Sequence, residues 1–242
     1  MSLLADLIDN ITEYPVKEVV IGVFNTLVWT RNCGLSATLK SDVFPHERVK
    51  NSGALTSMNV REVAGYVFSE NPLEVSVGMA AINSALPVER EKFKSINAKE
   101  LILKKGKMKV VGVIGHFPFL DEIKKEFREL YIFEKMPRAG DLREEDIPEY
   151  LPACDVVAIT GTAIANKSFE EIVKWTRRRS YVIVLGPTTP LSSILFDYGV
   201  DAICGTLVLD IPLVLNQVKE GTPFKDMKGI QYVALLREEY FG

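Results

Sequence analysis

Three stretches, Val156-Val157-Ala158-Ile159-Thr160-Gly161-Thr162, Val182-Ile183-Val184-Leu185-Gly186-Pro187-Thr188-Thr189 and Asp201-Ala202-Ile203-Cys204-Gly205-Thr206, run apolar for the length of a strand and end in a glycine beside threonine. A fourth, Val110-Val111-Gly112-Val113-Ile114-Gly115-His116, ends in glycine without the threonine. Continuous apolar runs suit strands buried on both faces, as in parallel sheets. In open α/β sheets ligands bind just outside the carboxyl ends of such strands. Glycine lets a backbone come close to a ligand, and a threonine hydroxyl can donate or accept. These four strand ends therefore mark where something binds.

Helical patterns separate them. The order reads strand 109–115, helix from 118, strand 130–134, strand 155–160, a helix opened by Ser168, strand 181–185, a helix over 190–197 opened by Thr189-Pro190, strand 201–205 and a helix near 209–219. This alternation predicts an α/β fold, a parallel sheet with helices on both faces. The tail at 231–236 is an extra edge strand or a return to the N-terminal part.

Upstream the pattern differs. Residues 2–13 read as an amphipathic helix, and β-rich runs follow at 19–23, 26–30 and 35–39. Asn59-Val60-Arg61-Glu62 forms a capping box, and Asn71-Pro72-Leu73-Glu74 reads as a second one with proline in the first turn. Small residues after it (Ser76, Gly78, Ala80, Ala81, Ala85) imply close packing. Strands followed by helices make a small α+β unit. The charged, Pro- and Gly-bearing segment 86–108 reads as the boundary, giving domains 1–95 and 96–242.

Of the 242 residues 47% are apolar and 25% charged, with a net charge of -3. That excludes a basic nucleic-acid footprint. Arg177-Arg178-Arg179 reads as a solvated helix end. The three cysteines, Cys33, Cys154 and Cys204, are scattered, which excludes a zinc knuckle or a disulfide framework. The N-terminus carries Asp6 and Asp9 and no basic segment, so no signal peptide is expected. No apolar stretch is long enough to span a bilayer, and a cytoplasmic location is expected. The small-residue helices are compatible with packing between subunits as a homo-oligomer.

The chemistry-bearing residues sit at the strand ends. His116 follows the first strand, where a dinucleotide fold would continue its glycine pattern. Phe117, Phe119 and Leu120 occupy that turn and disfavour the close approach of a pyrophosphate. Glu134 ends the next strand about 20 residues on, where a ribose-binding acid would sit. Histidine titrates near neutral pH and ligates metals. Glu134 and Asp141 are its candidate carboxylate partners for acid–base work. Thr160-Gly161-Thr162 and Gly186-Pro187-Thr188-Thr189 lead toward helices and suit polar or anionic groups. Gly115, Gly205, Asn166, Asp210 and, on the earlier helix, Asn83 complete the candidate set. His46 is expected to be an exposed loop residue.

Together, Ser69-Glu70-Asn71-Pro72-Leu73-Glu74, Gly78-Met79-Ala80-Ala81-Ile82-Asn83, Gly115-His116-Phe117-Pro118-Phe119, Glu134-x-x-Pro137-x-x-Gly140-Asp141, Thr160-Gly161-Thr162-Ala163-x-x-Asn166, Gly186-Pro187-Thr188-Thr189-Pro190 and Gly205-Thr206-x-Val208-x-Asp210 resemble the family labelled "Putative heavy-metal chelation" over nearly the whole chain. The resemblance implies a small enolase-N-terminal-like α+β domain followed by a Rossmann-like domain. It also implies a ligand site between them, faced by His116, Glu134, Asp141, Thr162, Asn166, Thr188 and Asp210, with Asn83 reaching in from the other side.

A soft metal ion wants thiolates or several imidazoles. Three scattered cysteines and two histidines do not supply them. The residues fit a small polar or anionic, metal-chelating metabolite better than a bare ion. Two enzymatic alternatives stand beside binding: acid–base chemistry by His116 with Glu134 or Asp141, and a nucleotide-dependent transferase or oxidoreductase. No cofactor is assigned.

Overall fold

The computed structural model describes residues 2–40 and 48–241, so His46 lies outside the described residues. Helix α1 (Leu3–Asp9) leads into an antiparallel meander of β1 (Glu18–Ile21), β2 (Asn25–Trp29) and β3 (Cys33–Ala37). Helices α2 (Val60–Ala64) and α3 (Pro72–Ala85) follow. Both predicted caps form: Asn59 and Glu62 make the reciprocal capping box, and Asn71 accepts from the Leu73 amide. Glu74 differs from expectation. Its carboxylate does not reach back to Asn71 but accepts from the Lys50 amide at 2.6 Å, tying a distant segment to the helix.

The 86–108 segment holds a helix the sequence reading did not anticipate, α4 (Ala98–Gly106), capped by Asn97, which accepts from the Glu100 amide. Beyond it come β4 (Val110–Ile114), α5 (Leu120–Ile123), β5 (Glu129–Glu134), β6 (Leu142–Arg143), α6 (Ile147–Tyr150), β7 (Val156–Thr160), α7 (Thr162–Ala165), α8 (Phe169–Lys174), β8 (Tyr181–Leu185), α9 (Ile194–Asp197), β9 (Ala202–Val208), α10 (Ile211–Lys219), β10 (Ile230–Leu236) and α11 (Arg237–Tyr240). Thr189-Pro190 does not open a helix; the chain stays extended until Ile194.

The seven strands β4 to β10 form one Rossmann-like sheet, in the order β10-β9-β8-β7-β4-β5-β6. All neighbours are parallel except β10, which runs antiparallel along β9 with Ala234 opposite Cys204. The tail is thus an edge strand. The order reverses at β4, which pairs with β5 on one side and β7 on the other. The crevice at that reversal is where ligands bind in open α/β sheets. Strands β4 and β7 have almost no exposed residue, as parallel strands covered on both faces should. No helix among the described residues is long and apolar enough to cross a membrane.

At the amino ends of the strands, carboxylates close the sheet. Asp155 accepts from the Val110 amide at 3.0 Å and from Arg177 at 2.9 Å; Asp201 accepts from the Val182 amide at 2.8 Å. Arg177 is therefore a structural partner rather than only a solvated helix end. The Val110 amide first, then Arg177 and Arg128, hold the Asp155 carboxyl below the usual carboxylate range. Asp201 goes the other way, raised chiefly by burial. A depressed carboxyl contributes stability above its unfolded pKa of about 3.9, and loses it as pH falls through the folded value. Wild type is therefore expected to lose more melting temperature than Asp155→Asn between pH 7 and pH 3. Parallel melting curves for the two across that range would refute this role.

Candidate functional site

The reversal of strand order opens a cavity of about 270 Å³ at the carboxyl ends of β4, β5 and β7. Gly115 makes it. Its φ of +98° turns the chain sharply out of β4, and a Cβ there would lie 3.2 Å from Thr160. This close approach presents the next residue, His116, to the cavity.

The His116 side chain is only 15% exposed, and its Nδ1 is buried with no hydrogen-bond partner. The loop after β5 folds back to place Asp141 beside it, Oδ2 at 3.6 Å from Nδ1. That carboxylate, 6% exposed, accepts from the Arg138 amide at 3.0 Å. A shift of a few tenths of an ångström closes the His116–Asp141 contact into a hydrogen bond, and such contacts are commonly long before a ligand binds. Glu134 lines the same cavity from the end of β5. It has no ion-pair partner among the described residues, because Lys135 pairs with Glu144 at 3.8 Å.

Thr160, Thr162 and Asn166 line the opposite wall. Thr160 accepts from the Thr162 amide at 3.3 Å. Asn166 Oδ1 accepts from the Ser168 amide and hydroxyl, which leaves its amide NH₂ free to donate. The Ser168 side chain is thus spent on Asn166 and does not cap α8.

The remaining candidates lie elsewhere. Asn83 and Thr189 line a second cavity, about 240 Å³, between the two sheets' domains. Asn83 Nδ2 donates to the carbonyls of Leu35 and Thr188, at 2.8 and 3.3 Å, and Thr188 Oγ1 accepts from the Ala37 amide at 2.9 Å. Thr188 is thereby a staple across the interface, with Asn83 apposed to it. Gly161 packs its backbone against Thr189, where a Cβ would fall 2.6 Å from the Thr189 amide nitrogen. Gly186 and Gly205 line a third, apolar pocket. Asp210 is exposed and caps α10, accepting from the Leu213 amide at 3.0 Å. The residues that read as one wall are thus spread over three cavities. The loop after β8 passes between two of them, with Gly186 in one and Thr189 in the other. Strand β9 continues past Gly205 to Val208, so that glycine sits within the strand and not at its end.

Sequence reading did not single out Arg31 and Arg90, which line the interdomain cavity together with Thr206. That lining contains no carboxylate. Arg31 donates to Tyr14 Oη at 2.9 Å. Only the folded chain brings the β2–β3 turn and residue 90 together, and no local motif announces it.

A two-domain protein emerges, with a small α+β unit set against a Rossmann-like sheet whose reversal point holds a polar, histidine-bearing cavity. Its residues 4–86 and 97–236 match two family models that are both described as "Putative heavy-metal chelation", and the chain belongs to that family. A crystal structure of a protein of unknown function from the DUF364 family of Desulfitobacterium hafniense is 27% identical, with a TM-score of 0.86 over 97% of both chains. One from Pyrococcus horikoshii, 21% identical, shares the fold with a TM-score of 0.78 over 96% of both. An uncharacterised protein of Methanocaldococcus jannaschii is 26% identical over 206 residues, 81% of this chain and 78% of that one.

The donor set can be tested against that description. All three thiols are buried, and burial pushes each up to about 12, so they stay protonated at neutral pH. Among the described residues no three His, Cys, Asp or Glu side chains gather as a metal site. These residues do not fit a resident soft metal ion. Native protein is expected to show no cadmium–thiolate absorbance on titration with cadmium and no reaction with Ellman's reagent, and full reaction once denatured. Rapid labelling of the native thiols would contradict this.

Proposed function

We propose that this protein binds a small polar metabolite in the cavity at the strand reversal and moves a proton on it through His116. The observation that carries this reading is the buried, unpartnered His116 Nδ1 set 3.6 Å from the Asp141 carboxylate. With Nδ1–H donating to Asp141, Nε2 keeps its lone pair and acts as a base. Glu134, with no cation paired to it among the described residues, favours ligand groups that donate, such as hydroxyls and amines. Thr160, Thr162 and the Asn166 amide suit the oxygens of the same molecule. Metabolites that carry several hydroxyls, amines or carboxylates in reach of one another chelate metal ions, and with such a ligand a heavy metal would arrive as its cargo.

A thermal-shift screen of hydroxy acids, amino acids and polyamines, each with and without zinc, nickel or copper, tests it. A ligand that stabilises wild type is expected to lose its effect in His116→Asn and Thr162→Val. Thr162→Val is preferable to a change at Asn166, which would also break the Ser168 turn. Any turnover on that ligand is expected to fall about 10²- to 10⁴-fold in His116→Asn. Identical responses from wild type and both variants would overturn the reading.

A second reading rests on the interdomain cavity, where two arginines and no carboxylate favour a polyanion. Citrate and phosphate should then stabilise wild type and leave Arg31→Ala/Arg90→Ala unshifted.

A further inference from the structure

The third pocket lies at the carboxyl end of β8 and beside the middle of β9 and β10, because β9 runs on past Gly205 to Val208. It shares Phe117 with the reversal cavity and Pro187 and Thr206 with the interdomain one, but neither the acid–base reading nor the polyanion reading has a role for it. It measures about 290 Å³ and is walled by Phe117, Phe119, Phe224 and Tyr232, with Lys99 and Lys225 also in the lining. Phe117 and Phe119 stack with centroids 5.6 Å apart and planes 21° apart. Phe224 and Tyr232 meet edge-on at 5.8 Å and 88°. The first pair occupies the turn where a dinucleotide fold has glycines, so the feature that disfavours a pyrophosphate also builds an aromatic wall. Gly186, at φ +113°, leaves open space where a side chain would project.

Charge narrows the ligand. No carboxylate lines this pocket. Lys99 pairs with Glu122 outside it, while Lys225 has no ion-pair partner among the described residues. Residues Asn97, Ala98 and Lys99 bring the amino end of α4, and with it the positive end of a helix dipole, to the wall. The Tyr232 hydroxyl, raised by partial burial, stays protonated as a donor. A cavity of roughly 150 Å³ accepts benzene, so this one has room for two fused rings and a substituent. We propose that this pocket binds a planar aromatic carboxylate, its rings between the Phe117–Phe119 and Phe224–Tyr232 pairs and its carboxylate toward Lys225 and the α4 amino end.

The probe is 2-naphthoate, titrated calorimetrically into the full chain beside cyclohexanecarboxylate and methyl 2-naphthoate, which lack the flat ring system and the charge respectively. Saturable binding of one 2-naphthoate is expected, at least several-fold tighter than either analogue. Phe224→Ala is expected to weaken it about tenfold. Lys225→Gln, at an exposed position that should not disturb folding, is expected to weaken it several-fold. Phe117 is the one residue that lines both this pocket and the proton-transfer cavity, so His116→Asn is expected to bind 2-naphthoate like wild type. Binding lost in His116→Asn would place the ligand in the proton-transfer cavity and overturn the assignment. No saturable binding, equal affinity for all three probes, or unchanged affinity in both Phe224→Ala and Lys225→Gln would overturn the assignment.

Discussion

Gly34→Ala is expected to cost about 3 kcal/mol or more, the upper end for overpacking a rigid site. A Cβ at Gly34 would lie 2.1 Å from the Ala80 carbonyl oxygen, 2.3 Å from the Ser84 nitrogen and 2.7 Å from the Asn83 carbonyl carbon. All three are backbone atoms of α3, so no rotamer change relieves the clash. Strand β3 would have to separate from the helix. The small residues Ala80, Ala81 and Ser84, each fully buried, have brought the two backbones together at that point. For a chain of this size the loss corresponds to a fall of about 6–12 °C in melting temperature.

The consequence reaches the domain interface. Asn83 holds both the Leu35 and Thr188 carbonyls, so lifting α3 off β3 pulls on the staple between the domains. Gly65→Ala is the matching control. Its φ is -58° and nothing lies within 4 Å of the added Cβ. It should leave stability unchanged or raise it by about 0.5 kcal/mol. A Gly34→Ala protein melting within 2 °C of wild type would show that β3 and α3 are looser than this geometry.

The sheet was legible because its strands are buried on both faces, and that burial writes continuous apolar runs such as Val110 to Ile114 and Val156 to Ile159. The caps at Asn59 and Asn71 were legible because capping is local. What failed was what depends on distant chain. Glu74 sits where a capping glutamate would, yet the Lys50 amide competes for it and wins. Helix α4 buries only Leu101, Ile102 and Gly106, too thin a stripe to read against its lysines. For the site, the strand-end rule brought Gly115, His116, Glu134, Thr160, Thr162 and Asn166 to one cavity. It could not say where β9 would end, how the loop after β8 would run or where α3 would dock, so Asn83, Gly186, Thr189 and Gly205 line other cavities. Asp210 did carry a local signal: an aspartate two residues before a proline opens α10, and capping is what it does.

Phe133→Ala is expected to cost about 3–5 kcal/mol. Phe133 is 1% exposed, belongs to the main hydrophobic cluster and also lines the candidate cavity, so truncation leaves a void that opens into the site. Its position makes the effect more than a matter of stability. Its carbonyl accepts from the Gly115 amide at 2.9 Å, and it sits opposite Leu142, next to Asp141, in the β5–β6 pairing. One residue thus supports both the turn that presents His116 and the strand that follows Asp141. Phe133→Leu keeps most of the volume and is expected to cost less than about 1.5 kcal/mol. The chain has only two histidines, so the His116 imidazole signals can be assigned by comparison with His116→Asn. Phe133→Leu should keep the wild-type His116 nitrogen shifts, whereas Phe133→Ala, studied below its lowered melting point, should move them. If the shifts stay fixed in Phe133→Ala while stability falls, Phe133 fills the core without positioning the histidine, and the His116–Asp141 geometry is held by the Gly115 turn and the 136–141 loop alone.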